Sequence, residues 1–145
     1  MAKMKRSSRL ERLAALTRLK EDAAARQLQK ARQSLSRQNA QLDQLEQYRE
    51  EYQANQPESA SISMIQNYRD FCSSLGDAIE HQSRRCEAES ARVTDALGEW
   101  RGRHQRTEAI SSAAASSREQ ERVIDERRQN AIVDDIVTTR NIDRS

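Results

Sequence analysis

Apolar and small residues recur at every seventh position along much of this chain. Ile65, Cys72, Ile79, Cys86, Val93, Trp100, Thr107 and Ala114 form one series, and Tyr68 and Leu75 follow its first two members by three residues. Leu28, Leu35 and Leu42, with Ala31, Leu45 and Tyr52, form a second series that ends before Pro57. A strict seven-residue repeat keeps one stripe of a helix facing one partner, which is the requirement of a coiled coil. The pattern predicts an all-α fold: a long antiparallel two-helix coiled-coil hairpin, treated as a single domain over residues 1–145.

The predicted path is helix one over about residues 5–54, a loop over 55–61 and helix two over about 62–135. Good helix formers dominate the first segment. Pro57 lacks a helical donor and disfavours helix at the residue before it. Ser63 with Gln66 offers a capping box for helix two, and Ser61 is a second candidate cap. With the bend centred near Glu58, Leu42 meets Leu75, Leu45 meets Cys72 and Tyr52 meets Ile65. Two layers fit less well in this pairing, because Leu35 meets Gln82 and Gln38 meets Ile79. Three further features need the structure. Leu10, Leu13, Leu16 and Leu19 recur at intervals of three, so either the register shifts there or those leucines face something other than helix two. Gly98 and Gly102 are four apart, which suits either a close-approach face or local flexibility. The run of small residues from 111 to 117 thins or interrupts the seam, and the helix is expected to be weaker beyond it.

Composition fits a narrow seam rather than a thick core. Of 145 residues, 33% are charged and 35% hydrophobic, with three Gly and one Pro, which points to long helices. Disorder is the competing reading of so charged a chain; the sustained heptads oppose it in the middle. No stretch approaches the ~20 apolar residues that span a bilayer, and the basic start lacks the apolar run of a secretory signal. Cys72 and Cys86 lie ~21 Å apart on one helix at 1.5 Å per residue, too far to bridge. Reduced thiols in a cytoplasm are expected.

The net charge of +2 is unevenly placed. Residues 1–20 hold Lys3, Lys5, Arg6, Arg9, Arg12, Arg18 and Lys20 against Glu11 alone. Such an end suits nucleic acid, an anionic membrane or an acidic protein surface, though a solvated helix face has the same look. Catalytic chemistry finds no support. His81 and His104 are far apart, no Cys/His/acid set has metal spacing, and there is no phosphate loop or nucleophile elbow. Neither an enzyme nor a cofactor is expected. Trp100, at a seam position opposite the Thr17 region, reads as a seam anchor rather than a ligand-stacking group.

One group of residues does not belong to the seam. Gln41 and Tyr48 on helix one, and Phe71 and Ala78 on helix two, occupy the positions that flank one side of an antiparallel pair. With Leu45, Tyr52, Leu75 and Gln82 they make a lateral strip close to the bend. Either Tyr48 and Phe71 widen the seam and cover each other, or the strip is a docking face; aromatic anchors favour docking.

The same residues carry a resemblance. Gln41-Leu42 with Leu45, then Tyr48 and Tyr52 in YREEY, a short loop, NYRDFCSSLGDAIEHQ and ALGEWRGRHQR resemble the flagellar export family FliJ over about residues 5–130. The resemblance implies a cytoplasmic hairpin similar in shape to the stalk of rotary ATPases. Such a protein inserts into the hexameric export ATPase FliI, promotes its assembly, contacts the export gate protein FlhA through its bent end and recycles export chaperones. FliH is a further implied partner, and association with the inner membrane would be peripheral, through these partners. The family's gate-binding surface falls on Gln41, Leu45, Tyr48, Tyr52, Phe71, Leu75 and Ala78. Its last position is Gln82 here, where the family pattern expects histidine and His81 is adjacent. The ring-binding end would include Arg9, Arg12, Leu13, Leu16 and Arg18 with the C-terminal segment. The alternatives are the stalk of a virulence-type injectisome, a nucleic-acid-binding coiled coil using the basic arm, and a generic structural rod.

Overall fold

The protein, seen in a computed structural model, is described over residues 4–56 and 61–143. Two helices, α1 (Arg6–Ala54) and α2 (Ile62–Asp143), make up its regular structure among the described residues. They pack against each other as an all-α hairpin. Helix α2 runs past the expected residue 135 to Asp143 without a break at the small-residue run. Its start is capped by Ser61, whose Oγ accepts from the Met64 amide at 3.3 Å. Ser63 is already inside the helix, so the cap falls on the second of the two candidate serines. Pro57 and the expected bend centre at Glu58 lie outside the described residues.

The packing falls into two units, Asp22–Arg101 and a terminal unit made of the residues up to Glu21 with those from Gly102 onward. In the first, here the bend unit, the seam is Ala24, Leu28, Ala31, Leu35, Gln38, Leu42, Leu45 and Tyr52 of α1. Against it lie Tyr68, Cys72, Leu75, Ile79, Gln82, Cys86, Val93 and Trp100 of α2, all buried or half-buried. Cys72 and Cys86 are free thiols within this seam.

The pairing is displaced from the expected one. Gln38 meets Gln82 rather than Ile79, and Tyr52 stacks on Tyr68 rather than meeting Ile65. Both partners sit three residues further along α2 than a bend centred on Glu58 requires. The reason is polar. In the expected pairing Gln82 would face Leu35 and Gln38 would face Ile79, leaving two amides without partners in an apolar seam, at about 1–3 kcal/mol each. The observed pairing brings the two amides into one layer. Gln82, only 5% exposed, donates through Nε2 to Gln38 Oε1 at 2.8 Å and to the Gln38 carbonyl at 2.9 Å. The seam opens beyond Tyr68: Ile62, Met64 and Ile65 are all exposed.

In the terminal unit the same heptad continues on α1 through Ser7, Leu10, Ala14, Thr17 and Glu21, and α2 answers with Thr107, Ile110, Ala114, Ser117 and Glu121. The register on α1 does not shift. Of the four leucines only Leu10 belongs to the seam; Leu13, Leu16 and Leu19 are exposed. The seam is thin, as the small residues of α2 suggested. Two of its hydroxyls bond along their own helices, Thr17 donating to the Ala14 carbonyl and Thr107 to the Arg103 carbonyl. Glu121 of α2 closes the start of α1, accepting from the Ser7 amide at 3.2 Å and the Ser7 hydroxyl at 2.5 Å. A carboxylate at a helix N-terminus pairs orphan donors and suits the helix dipole. Neither Gly98 nor Gly102 serves a close approach, because a Cβ at either would meet nothing within 4 Å.

Candidate docking surfaces

In the bend unit Tyr52, Tyr68 and Phe71 form one aromatic cluster. Tyr52 reaches across the seam from α1, stacking on Tyr68 at 5.0 Å with an interplanar angle of 10°. It also meets Phe71 at 4.3 Å and 42°. Stacked and tilted rings of this kind add attraction beyond the area they bury. Phe71 is therefore anchored by Tyr52, not by Tyr48. Tyr48 stands apart with 61% of its surface exposed. The idea that Tyr48 and Phe71 cover each other does not describe Tyr48.

Tyr48, Glu51, Tyr52 and Asn55 of the first segment, with Met64, Asn67 and Tyr68 of α2, line an open groove of about 450 Å³. Tyr48, Tyr52, Met64 and Tyr68 supply its larger apolar lining, and Glu51, Asn55 and Asn67 its polar lining. Burial, then the Cys72 thiol, pushes the Tyr68 phenol above its ordinary value, so it remains a neutral hydroxyl at physiological pH. Such a groove can take a side chain with an apolar body and polar edge.

The sequence-predicted strip divides in space. Gln41, Tyr48, Phe71 and Ala78 are exposed; Leu45 and Tyr52 are half-buried; Leu75 and Gln82 are buried in the seam. The Gln82 amide is already engaged by Gln38. Its neighbour His81 is exposed. The groove adds Glu51, Asn55, Met64 and Asn67, which the heptad count passed over. Met64 and Asn55 occupy the same flanking position as Tyr48 in their heptads, so extending the frame towards the bend would have found them.

The terminal unit presents a different surface. Leu13, Leu16, Thr17 and Lys20 of α1 and Arg103 and Arg106 of α2 line a cleft of about 320 Å³. Leu13 and Leu16 are 41% and 58% exposed. Arg9, Arg12 and Arg18 are exposed on the same helix, but only Leu13 and Leu16 of the predicted ring-binding set line this cleft. Arg18 lies instead beside a second shallow depression with Glu11 and Arg118, which form an ion pair. Close to the cleft, His104 Nδ1 lies 2.6 Å from Glu21 Oε1. That bond holds the Glu21 carboxyl below its ordinary value of 4.5, with lesser help from Thr107 and Arg18 against the opposing effect of burial.

Among the described residues no group of His, Cys, Asp and Glu has metal-binding geometry, and no helix is long and apolar enough to cross a membrane. No individually curated protein matches the chain. The family described as "Flagellar FliJ protein" matches residues 5–145. That span takes in both helices and both surfaces, and on this match the chain belongs to the flagellar FliJ family.

Proposed function

We propose that this protein is a non-enzymatic coupling stalk of the flagellar type III export apparatus. Its bend unit docks on the export gate protein FlhA, and its terminal unit engages the ring of the export ATPase FliI and promotes ring assembly. Contacts with FliH and with export chaperones, which it would recycle, belong to the same role. The setting is cytoplasmic, with peripheral attachment to the inner membrane at the flagellar base through these partners. Membership of the family supports an export-associated role.

The single observation that carries the gate assignment is the exposed Tyr48 beside a groove walled by Tyr52 and Tyr68. A two-helix seam does not need an aromatic ring there. Large apolar groups left open near polar rims are typical of docking sites, and Tyr is enriched among their energetic anchors. Of the predicted gate residues, Gln41, Tyr48, Phe71 and Ala78 offer accessible surface, while Leu75 and Gln82 would act by holding the backbone beneath them. At the other surface, Leu13 and Leu16 with their cationic neighbours suit a ring lumen of polar or acidic character.

The test is affinity of the full chain for the soluble part of the gate protein. Tyr48→Ala is expected to weaken binding by about tenfold or more, in the range of an interface anchor, with unchanged helix content. Gln82→Leu should change stability before it changes binding. Equal gate affinity for the parent chain and a folded Tyr48→Ala, Phe71→Ala double variant would remove the gate assignment.

A further inference from the structure

Helix α2 continues beyond the end of its partner. Lys5 pairs with Asp125 and Ser7 with Glu121, so α1 begins level with residues 121–125, and α2 runs on to Asp143. This overhang carries Ile132, Val133, Ile136 and Val137, each at least half exposed. Their spacing places them on one stripe of a helix. Asp134 and Asp135 interleave with them, and Asp135 borders a shallow depression with Ile132, Ile136, Thr139 and Arg140. Within 132–137 the charges are Asp134 and Asp135 alone; over the rest of the overhang Glu126 and Asp143 stand against Arg127, Arg128 and Arg140.

The Leu13/Leu16 cleft has the opposite character. Its floor is apolar, and its rim is Lys20, Arg103 and Arg106 with no carboxylate. A helix segment with an isoleucine and valine stripe and two carboxylates beside it is the chemistry this cleft would accept. The chain's own overhang cannot reach it in cis. Along a continuous helix Ile132 stands about 39 Å from Arg106, at 1.5 Å per residue, and α2 has no break between them.

We propose that the overhang of one molecule docks in the Leu13/Leu16 cleft of a second copy of this chain. Apolar contact supplies the attraction, and Asp134 and Asp135 against Lys20, Arg103 and Arg106 fix the orientation. The contact can be reciprocal, because each copy brings one overhang and one cleft. The inference concerns the chain alone and does not depend on the coupling role; its failure would leave ring and gate binding untouched.

Sedimentation of the full chain over a range of concentrations, with no other protein present, tests it. A concentration-dependent dimer is expected, weaker at high salt because the charged rim is exposed. Leu16→Glu, and separately Ile136→Glu, should each leave a monomer of unchanged helix content. Lys20→Glu with Arg106→Glu should weaken the dimer by about tenfold or more, and adding Asp134→Lys with Asp135→Lys should restore most of that loss. A monomer at every concentration overturns the proposal. So does a dimer that survives the Leu16 and rim variants, since the overhangs would then be pairing with each other. Rim variants that change only binding to anionic vesicles, with no effect on sedimentation, overturn it as well.

Discussion

Gln82 is a polar residue buried in the seam of the bend unit. Its amide is buried with that of Gln38, and each satisfies part of the other. A polar seam pair of this kind costs stability relative to an apolar layer and in return selects one register. Gln82→Leu alone strands the Gln38 amide and should lower stability by about 1–2 kcal/mol. Gln38→Leu with Gln82→Leu should recover that loss or exceed it while loosening the register. Thermal melting reads the first effect, and cysteine cross-linking across the seam reads the second. If the double variant keeps a single cross-linking register, the pair does not set it. Sequence spacing could not reveal this pairing. Shifting one heptad stripe by three residues against another still sets apolar residues opposite apolar ones, so only the geometry of two amides separates the registers.

At the same scale, Glu21 makes an acid-sensitive contact. Its carboxyl is held below the ordinary value of 4.5, chiefly by the bond to His104. A carboxyl lowered on folding stabilises the folded state fully above its unfolded value. That contribution is lost as pH falls through the lower folded value. Stability of the terminal unit should therefore decline below about pH 4.5. Glu121, held down by the Ser7 hydroxyl, and Glu119, held down by Arg122, act with the same sign. Melting temperatures between pH 7 and pH 3 should fall less steeply in Glu21→Gln than in the parent chain. An identical acid limb would show that the Glu21 bond contributes nothing.

At the scale of elements, both helices are legible in the sequence to within a residue or two at three of their four ends. The fourth, the end of α2, was expected at about 135 and lies at Asp143. The small-residue run from 111 to 117 drew the expectation short. Ala and Ser there carry little seam area yet are compatible with helix, so they thin the pairing without breaking the element. The glycines were equally open. With no neighbour within 4 Å of a Cβ at Gly98 or Gly102, alanine at either should stabilise α2 by up to ~1 kcal/mol. A loss of stability in either variant, measured by denaturant unfolding, would mean that a contact at that position depends on the bare backbone.

The leucines of α1 show how far pattern alone reaches. Leu10, Leu13, Leu16 and Leu19 look alike in sequence, but only Leu10 holds a seam position. The heptad of Leu28 and Leu35, counted backward, passes through Glu21, Ala14 and Ser7, and that of Ala31 through Ala24 and Thr17. Polar and small residues at those places hid the frame. The aromatic strip was legible for the opposite reason: Tyr48 and Phe71 interrupt a clear frame, so their displacement is visible.

Across the whole molecule, the two packing units differ in what they bury. The bend unit closes over Leu28, Leu75, Ile79 and Cys86, and the terminal unit over Ala14, Thr17, Thr107, Ala114 and Ser117. Hydrophobic stabilisation scales with apolar area, at roughly 25 cal/mol per Å², so the second seam holds less firmly. Exposed ion pairs such as Arg122 with Glu119 and Glu126 add little to it. Amide exchange should therefore be faster at Ala14 and Ala114 than at Leu28 and Ile79. Equal protection would contradict this ranking. A seam that opens easily next to exposed leucines suits a surface that adjusts to what it meets.

Coupling requires both surfaces to be engaged in one complex, which makes bridging the most direct test. The soluble part of the export gate protein is immobilised, and capture of the export ATPase is measured with and without this chain. The account predicts ATPase capture that depends on the chain, lost with Tyr48→Ala even though that variant still binds the ATPase in solution. Capture that proceeds equally without the chain, or is unchanged by Tyr48→Ala, would contradict it.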